Sequence, residues 1–137
     1  MSVLFPMPAS SERLAALLEA AEGDVLYLAD PRVAVTPGPR MFERMAQAMR
    51  DGGAGWVYSD AFGHARIDYR AGSLRDTFDF GPVVGVSVPF ARAAGVAPGL
   101  HWSALYDLRL RLSERAPVVR VPEPLYAPGP LETRPSG

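Results

Sequence analysis

DVLYLADPRVAVTPGPRMFERMAQAMRDGGAGWVYSD, residues 24–60, decides the fold. Its opening DVLYLA is a short apolar run that reads as a buried strand delivering Asp30 at its end. Pro31 has no N–H to give a ladder, so pairing is expected to stop there. Thr36 to Pro39 opens a helix in which Met41, Phe42, Met45, Ala48 and Met49 share one apolar face, and Gly52 and Gly53 end it. Those methionines suit a core better than a ligand set. Trp56 to Ser59 is a second strand, delivering Asp60 as the first delivers Asp30. Strand, helix and strand in this order form a βαβ crossover whose strands run in parallel. Both aspartates then reach the same sheet edge, beyond the strands' carboxyl ends, where open α/β sheets bind ligands.

The elements on either side extend this pattern. Residues 3–5 form an apolar run stopped by Pro6 and Pro8, a strand feeding a turn. Leu14, Leu17, Leu18 and Ala21 follow helical spacing, with Ser10 or Ser11 as N-cap and Gly23 as the stop. Downstream, PVVGVSVP over residues 82–89 is a strand, and a helical turn over 90–94 ends at Gly95. Residues 102–114 form a helix with Trp102, Leu105, Leu108 and Leu112 as its buried stripe; Asp107, Arg109, Arg111 and Glu114 fall mainly off that stripe. Residues 118–121 are a last strand, and EPLY extends it along an edge. The Pro/Gly-rich end lacks periodicity. One domain over residues 1–128 with a flexible tail over 129–137 follows.

With 137 residues, 48% of them apolar, the chain can bury a core for one domain and not comfortably for two. Fourteen basic against 15 acidic residues leave a net charge of −1, which excludes a global field drawing it to nucleic acid or a membrane. Every basic side chain other than histidine is arginine, a bias that suits GC-rich coding as well as guanidinium chemistry. Cysteine is absent, which removes disulfides, thiolate nucleophiles and Cys-ligated metal centres. No basic leader and no run of about 18 apolar residues is seen, so a cytoplasmic protein without a membrane span is expected.

Candidate chemistry concentrates after the second strand. WVYSDAFGHARIDYRAGSLRDTFDFG, residues 56–81, crowds Asp60, Asp68, Arg70, Arg75, Asp76 and Asp79 into one loop. Such clustering suits a binding surface, and equally a solvated loop whose charges pair with one another. No G-x-S-x-G elbow accompanies His64 and His101, and no phosphate-gripping glycine motif occurs. What remains is an aspartate-based site: Asp30 and Asp60 at strand ends, Asp76 and Asp79 in the loop, Asp107 on the late helix. Hard oxygen ligands suit Mg²⁺ or Mn²⁺ held against a diphosphate. Asp30 before proline also suits a simple turn, and Asp107 a surface pair with Arg111.

The order of these pieces resembles the family 2 glycosyltransferases, with their GT-A nucleotide-diphospho-sugar transferase fold, over roughly residues 24–126. GDVLYLADPRVAVTPGPRMFERM is similar to the family's strand ending in an aspartate motif and the helix after it, and GAGWVYSD to its next strand. RIDYRAGSLRDTFDFGPVVGVSVPFARAAG resembles the loop and strand before the acceptor side. SALYDLRLRLSERAPVVRVPEPLY resembles the late helix and final strand. Against the family's paired aspartates the chain has only Asp30, within Ala29-Asp30-Pro31-Arg32. Ala104 and Leu105 stand where a Glu-Asp pair often supplies the base, leaving Asp107 as the local carboxylate.

The resemblance implies an α/β fold: a GT-A-like mixed, mainly parallel sheet flanked by helices, its N-terminal nucleotide-binding part shortened. It implies transfer of a sugar from a nucleotide-diphosphate sugar to a glycan or other acceptor, with Asp107 as base. Asp30, Asp60, Arg75, Asp76 and Asp79 would bind substrate, and Asp30 would hold Mg²⁺ or Mn²⁺. The alternative is a non-catalytic sugar- or partner-binding module. A sheet stripped of early units also exposes apolar surface around residues 3–5 and the Leu14, Leu17, Leu18 helix, which predicts a homodimer.

Overall fold

A computed structural model describes residues 3–62, 81–101 and 103–131. Six strands and four helices occur among them: β1 (Leu4–Pro6), α1 (Ser11–Ala20), β2 (Val25–Ala29), β3 (Val33–Pro37), α2 (Met41–Gly52), β4 (Trp56–Ala61), β5 (Val83–Ser87), α3 (Val88–Ala94), α4 (Ala104–Ser113) and β6 (Val118–Leu131). The strands form one mixed sheet in the order β1-β2-β5-β4-β6-β3. The sheet and its helices are α/β in kind, as expected.

Strand alternation divides the core in two. Leu26, Leu28, Trp56, Tyr58, Val84 and Val86 face one side, where Leu14 and Leu18 of α1, Ala91 of α3, and Ala104, Leu108 and Leu112 of α4 cover them. Tyr27, Val57 and Val83 face the other side, where Met41, Met45 and Met49 of α2 sit with Val121, Leu125 and Tyr126 of β6. The period of two in the strands meets the 3.6-residue stripe of each helix, so neither face is left to water. Gly85, at the centre of the sheet, makes room for the Val57 and Val25 side chains of its neighbouring strands. A Cβ there would lie 2.8 Å from Val57 Cγ2 and 3.3 Å from Val25 Cγ1, with Met45 Sδ just beyond at 3.9 Å. Ser10 proves to be the N-cap of α1, accepting from the Arg13 N–H at 3.2 Å. Ser11 instead turns inward, giving its hydroxyl to the Ala97 carbonyl and accepting from the Leu100 N–H.

Several expectations need correction. The sheet is not mainly parallel by pairing: β1–β2 and β4–β6 are parallel, while β2–β5, β4–β5 and β3–β6 are antiparallel. Strand β5 slots between β2 and β4, so the crossover strands run the same way without touching. Residues 33–37, expected partly as loop and partly as helix opening, form β3. Its partner is the Ala127–Leu131 region: Thr36 pairs with Ala127 and Val33 with Leu131. Strand β6 therefore runs well past EPLY and into the stretch expected as tail. Arg109 is 5% exposed, inside α4's buried surface and not off it, with its guanidinium 4.8 Å from the Tyr106 ring centre. Leu14 and Leu18 are buried core residues, which leaves Leu17 as the leucine of α1 nearest solvent.

Candidate functional site at the carboxyl-end edge of the sheet

β2 and β4 both run antiparallel to β5, Ala29 opposite Val83 and Tyr58 opposite Val84. Asp30 and Asp60 therefore emerge at the same sheet edge, on either side of the chain entering β5. The edge is stitched by main-chain bonds: the Asp30 N–H donates to the Pro82 carbonyl at 2.7 Å, and the Met7 N–H to the Ala29 carbonyl at 2.7 Å. Pro31 ends the strand as its missing N–H requires.

Asp30 is held by its near neighbour. Its Oδ1 accepts from the Arg32 N–H at 2.9 Å and from Arg32 Nε at 3.2 Å, and its Oδ2 from Arg32 Nη2 at 3.0 Å. The guanidinium side-chain bonds, aided by the backbone N–H and only partly opposed by burial, hold the Asp30 carboxyl below its ordinary range. Arg32 itself is 68% exposed, so the pair is open to water and to competing anions.

Asp60 is held from a distant strand. Arg120 donates Nε to Oδ1 and Nη2 to Oδ2, each at 3.0 Å, with side chains 20% and 12% exposed for Arg120 and Asp60. This two-point fork is the geometry that guanidinium and carboxylate prefer. It sits beside an irregularity in β6: Ser59 pairs with Val121, yet Asp60 pairs with Pro124, so Pro122 and Glu123 bulge out. Prolines that cannot donate are tolerated there. Glu123 is then anchored to α2 by Arg44 through both carboxylate oxygens, which holds its carboxyl below the ordinary range. Just past β4, Phe62 is 55% exposed and, with Arg40, Pro39 and Leu125, lines a cleft of about 260 Å³.

Asp107 stands apart from this pair. It lies in the first turn of α4, paired with Arg111 Nε at 2.8 Å, and Arg111 also reaches the Ala94 carbonyl at the end of α3. Among the described residues no hydrogen bond or ion pair joins Asp107 to Asp30 or Asp60. Arg75, Asp76 and Asp79 lie outside the described residues, as does His64. Asp30, the residue expected to hold a metal, is the carboxylate of the Arg32 pair. Both of its oxygens are engaged by Arg32, and among the described residues no group of three His, Cys, Asp or Glu side chains could hold an ion.

The sequence reading missed Arg32 and Arg120. Arg120 had a legible signal, a charge inside the apolar run Val118-Val119-Arg120-Val121, which a strand position demands be paired. Arg32 had none beyond adjacency to Asp30. No helix among the described residues is long and apolar enough to cross a membrane. No protein-family model matches the chain, and no curated protein matches it.

Proposed function

We propose that this domain binds a nucleotide-diphospho-sugar across the edge where Asp30 and Asp60 emerge, and that it acts as a glycosyltransferase-like domain, as its resemblance to the family 2 enzymes implies. The observation that carries the reading is the shared direction of β2 and β4, which brings two aspartates and two arginines to one carboxyl-end edge. Arg32 is the exposed cation there. Releasing Asp30 to meet a diphosphate exchanges one charge-assisted bond for another at little cost. The buried Asp60–Arg120 fork is the fixed floor beside it, and Phe62 offers a stacking face. Transfer would need a base within about 3 Å of the acceptor hydroxyl or one water away, and Asp107 is the carboxylate proposed for it.

The tie between Asp107 and Arg111 favours a second reading, a module that binds the nucleotide sugar without transferring it. Calorimetric titration with a panel of nucleotide sugars, with and without Mn²⁺, followed by a product assay on a glycan acceptor array, separates the two. Binding with transfer supports the enzyme, and binding alone supports the module. Absence of binding to any donor at millimolar concentration rejects both.

A further inference from the structure

The outer side of β1 and α1 carries two of the exposed large hydrophobic side chains among the described residues. β1 is an edge strand of three residues, with Val3 51% and Phe5 38% exposed. Beside it, Arg13, Ala16, Leu17 and Ala20 recur at i, i+3, i+4 and i+7 along α1, a stripe in which two alanines flank one leucine and an arginine stands at one end. Two clefts of about 580 and 320 Å³ meet along this stripe, and both are lined by Phe5 and Leu17. The first carries Arg13 in its wall, and the second carries Glu22. Both side chains are exposed, and neither has an ion pair or side-chain hydrogen bond among the described residues.

We infer that this face is the interface of a twofold homodimer in which α1 packs antiparallel to α1 of a second copy. The charge pattern selects that occupant. Leu17 follows Arg13 by four residues and precedes Glu22, just past the end of α1, by five, and it shares one cleft with each, so a twofold axis passing near Leu17 sets Arg13 of each copy against Glu22 of the other. A self-complementary patch of this kind is what a closed twofold contact requires. The same axis brings the two Leu17 side chains together over the small residues, which let helices approach closely, and covers the exposed Phe5 and Val3. Leu17 and Phe5 are the apolar centre, and the two Arg13–Glu22 pairs are the polar rim that sets the register.

The test is the oligomeric state of the full chain by sedimentation equilibrium and light scattering from about 1 to 200 µM. The expected result is a particle of twice the chain mass, whose dissociation constant rises with salt because the rim pairs are exposed. Leu17→Glu should give monomer. Arg13→Glu alone and Glu22→Arg alone should each raise the dissociation constant about tenfold or more, and the double variant R13E/E22R should return it to within about threefold of the wild type. A wild-type monomer at 200 µM overturns the inference. So does a dimer in which the double variant is no better than the singles, which would place the contact elsewhere on the molecule. Should Leu17→Glu fail to fold, the charge swap decides, because both of its positions are exposed and outside the core.

Discussion

Asp30 and Asp60 occupy matching places, each just where a strand of the same direction reaches the same sheet edge, each gripped by one arginine through both carboxylate oxygens. Their surroundings differ. Arg32 is two residues from Asp30 along the chain and 68% exposed, whereas Arg120 comes from a different strand and is 20% exposed. Water has open access to the guanidinium of the first pair and much less to that of the second. One geometry therefore stands in two settings: an open contact between near neighbours in the chain, and a clamp that ties β4 to β6 beside the bulge at Pro122 and Glu123. A two-point arginine fork says little about its role until its exposure is known.

The largest expected effect is at the clamp. Asp60→Ala removes both bonds of the fork to the largely buried Arg120 and should destabilise the fold by about 2 kcal/mol, measured by chemical denaturation. Replacing both partners, Asp60→Asn with Arg120→Met, should recover at least half of that loss, because a largely buried guanidinium no longer has to be held without the Asp60 carboxylate. A double variant as unstable as the single would show that the pair's attraction itself holds β4 against β6. At the other end, Arg32→Ala should lower the denaturation midpoint only slightly and weaken binding of a nucleotide diphosphate about tenfold. Equal stability losses at Arg32 and Asp60 would erase the distinction.

A smaller effect is expected with pH. The carboxyls of Asp30 and Glu123 are held down by Arg32 and Arg44, so each contributes stability that is fully present above its unfolded pKa of about 4 and is lost as pH falls through the lower folded value. Denaturation midpoints should stay level from neutral pH to about pH 5 and fall below about pH 4. Asp30→Asn should flatten part of that fall. A gain in stability on acidification would contradict the assignment.

Much of the scaffold was legible because its signals are local. The stripes of Leu14 and Leu18, of Met41, Met45 and Met49, and of Leu108 and Leu112 are set by helical spacing, and Asp30 and Asp60 by where two apolar runs stop. What escaped depends on partners far away in the chain. The run from Val33 to Pro37 alternates half-buried valines with exposed residues, but it is too short and too soon closed by proline to announce a strand alone; β6 lies beside it. The end of β6 reads as tail because its Pro and Gly are typical of one, yet β3 pairs with it. Nothing in residues 24–60 announces that β5 will enter between the two parallel strands. The same holds at the site. Strand ends place the aspartates, but the arginine that meets Asp60 arrives from β6, and Arg109 is buried on the flank of α4 where its charge alone suggests exposure.

Whether the edge shared by Asp30 and Asp60 receives a nucleotide diphosphate, as proposed, is decided by amide chemical-shift mapping. Uridine diphosphate titrated into ¹⁵N-labelled protein should perturb Ala29, Asp30, Arg32, Asp60, Phe62 and Gly81, which surround that edge. The opposite edge, marked by the bonds from Ser87 to Gly55 and from Val88 to Asp24, should stay still. Perturbations confined to Asp24, Gly55 and Val88, or none at millimolar ligand, would contradict the account.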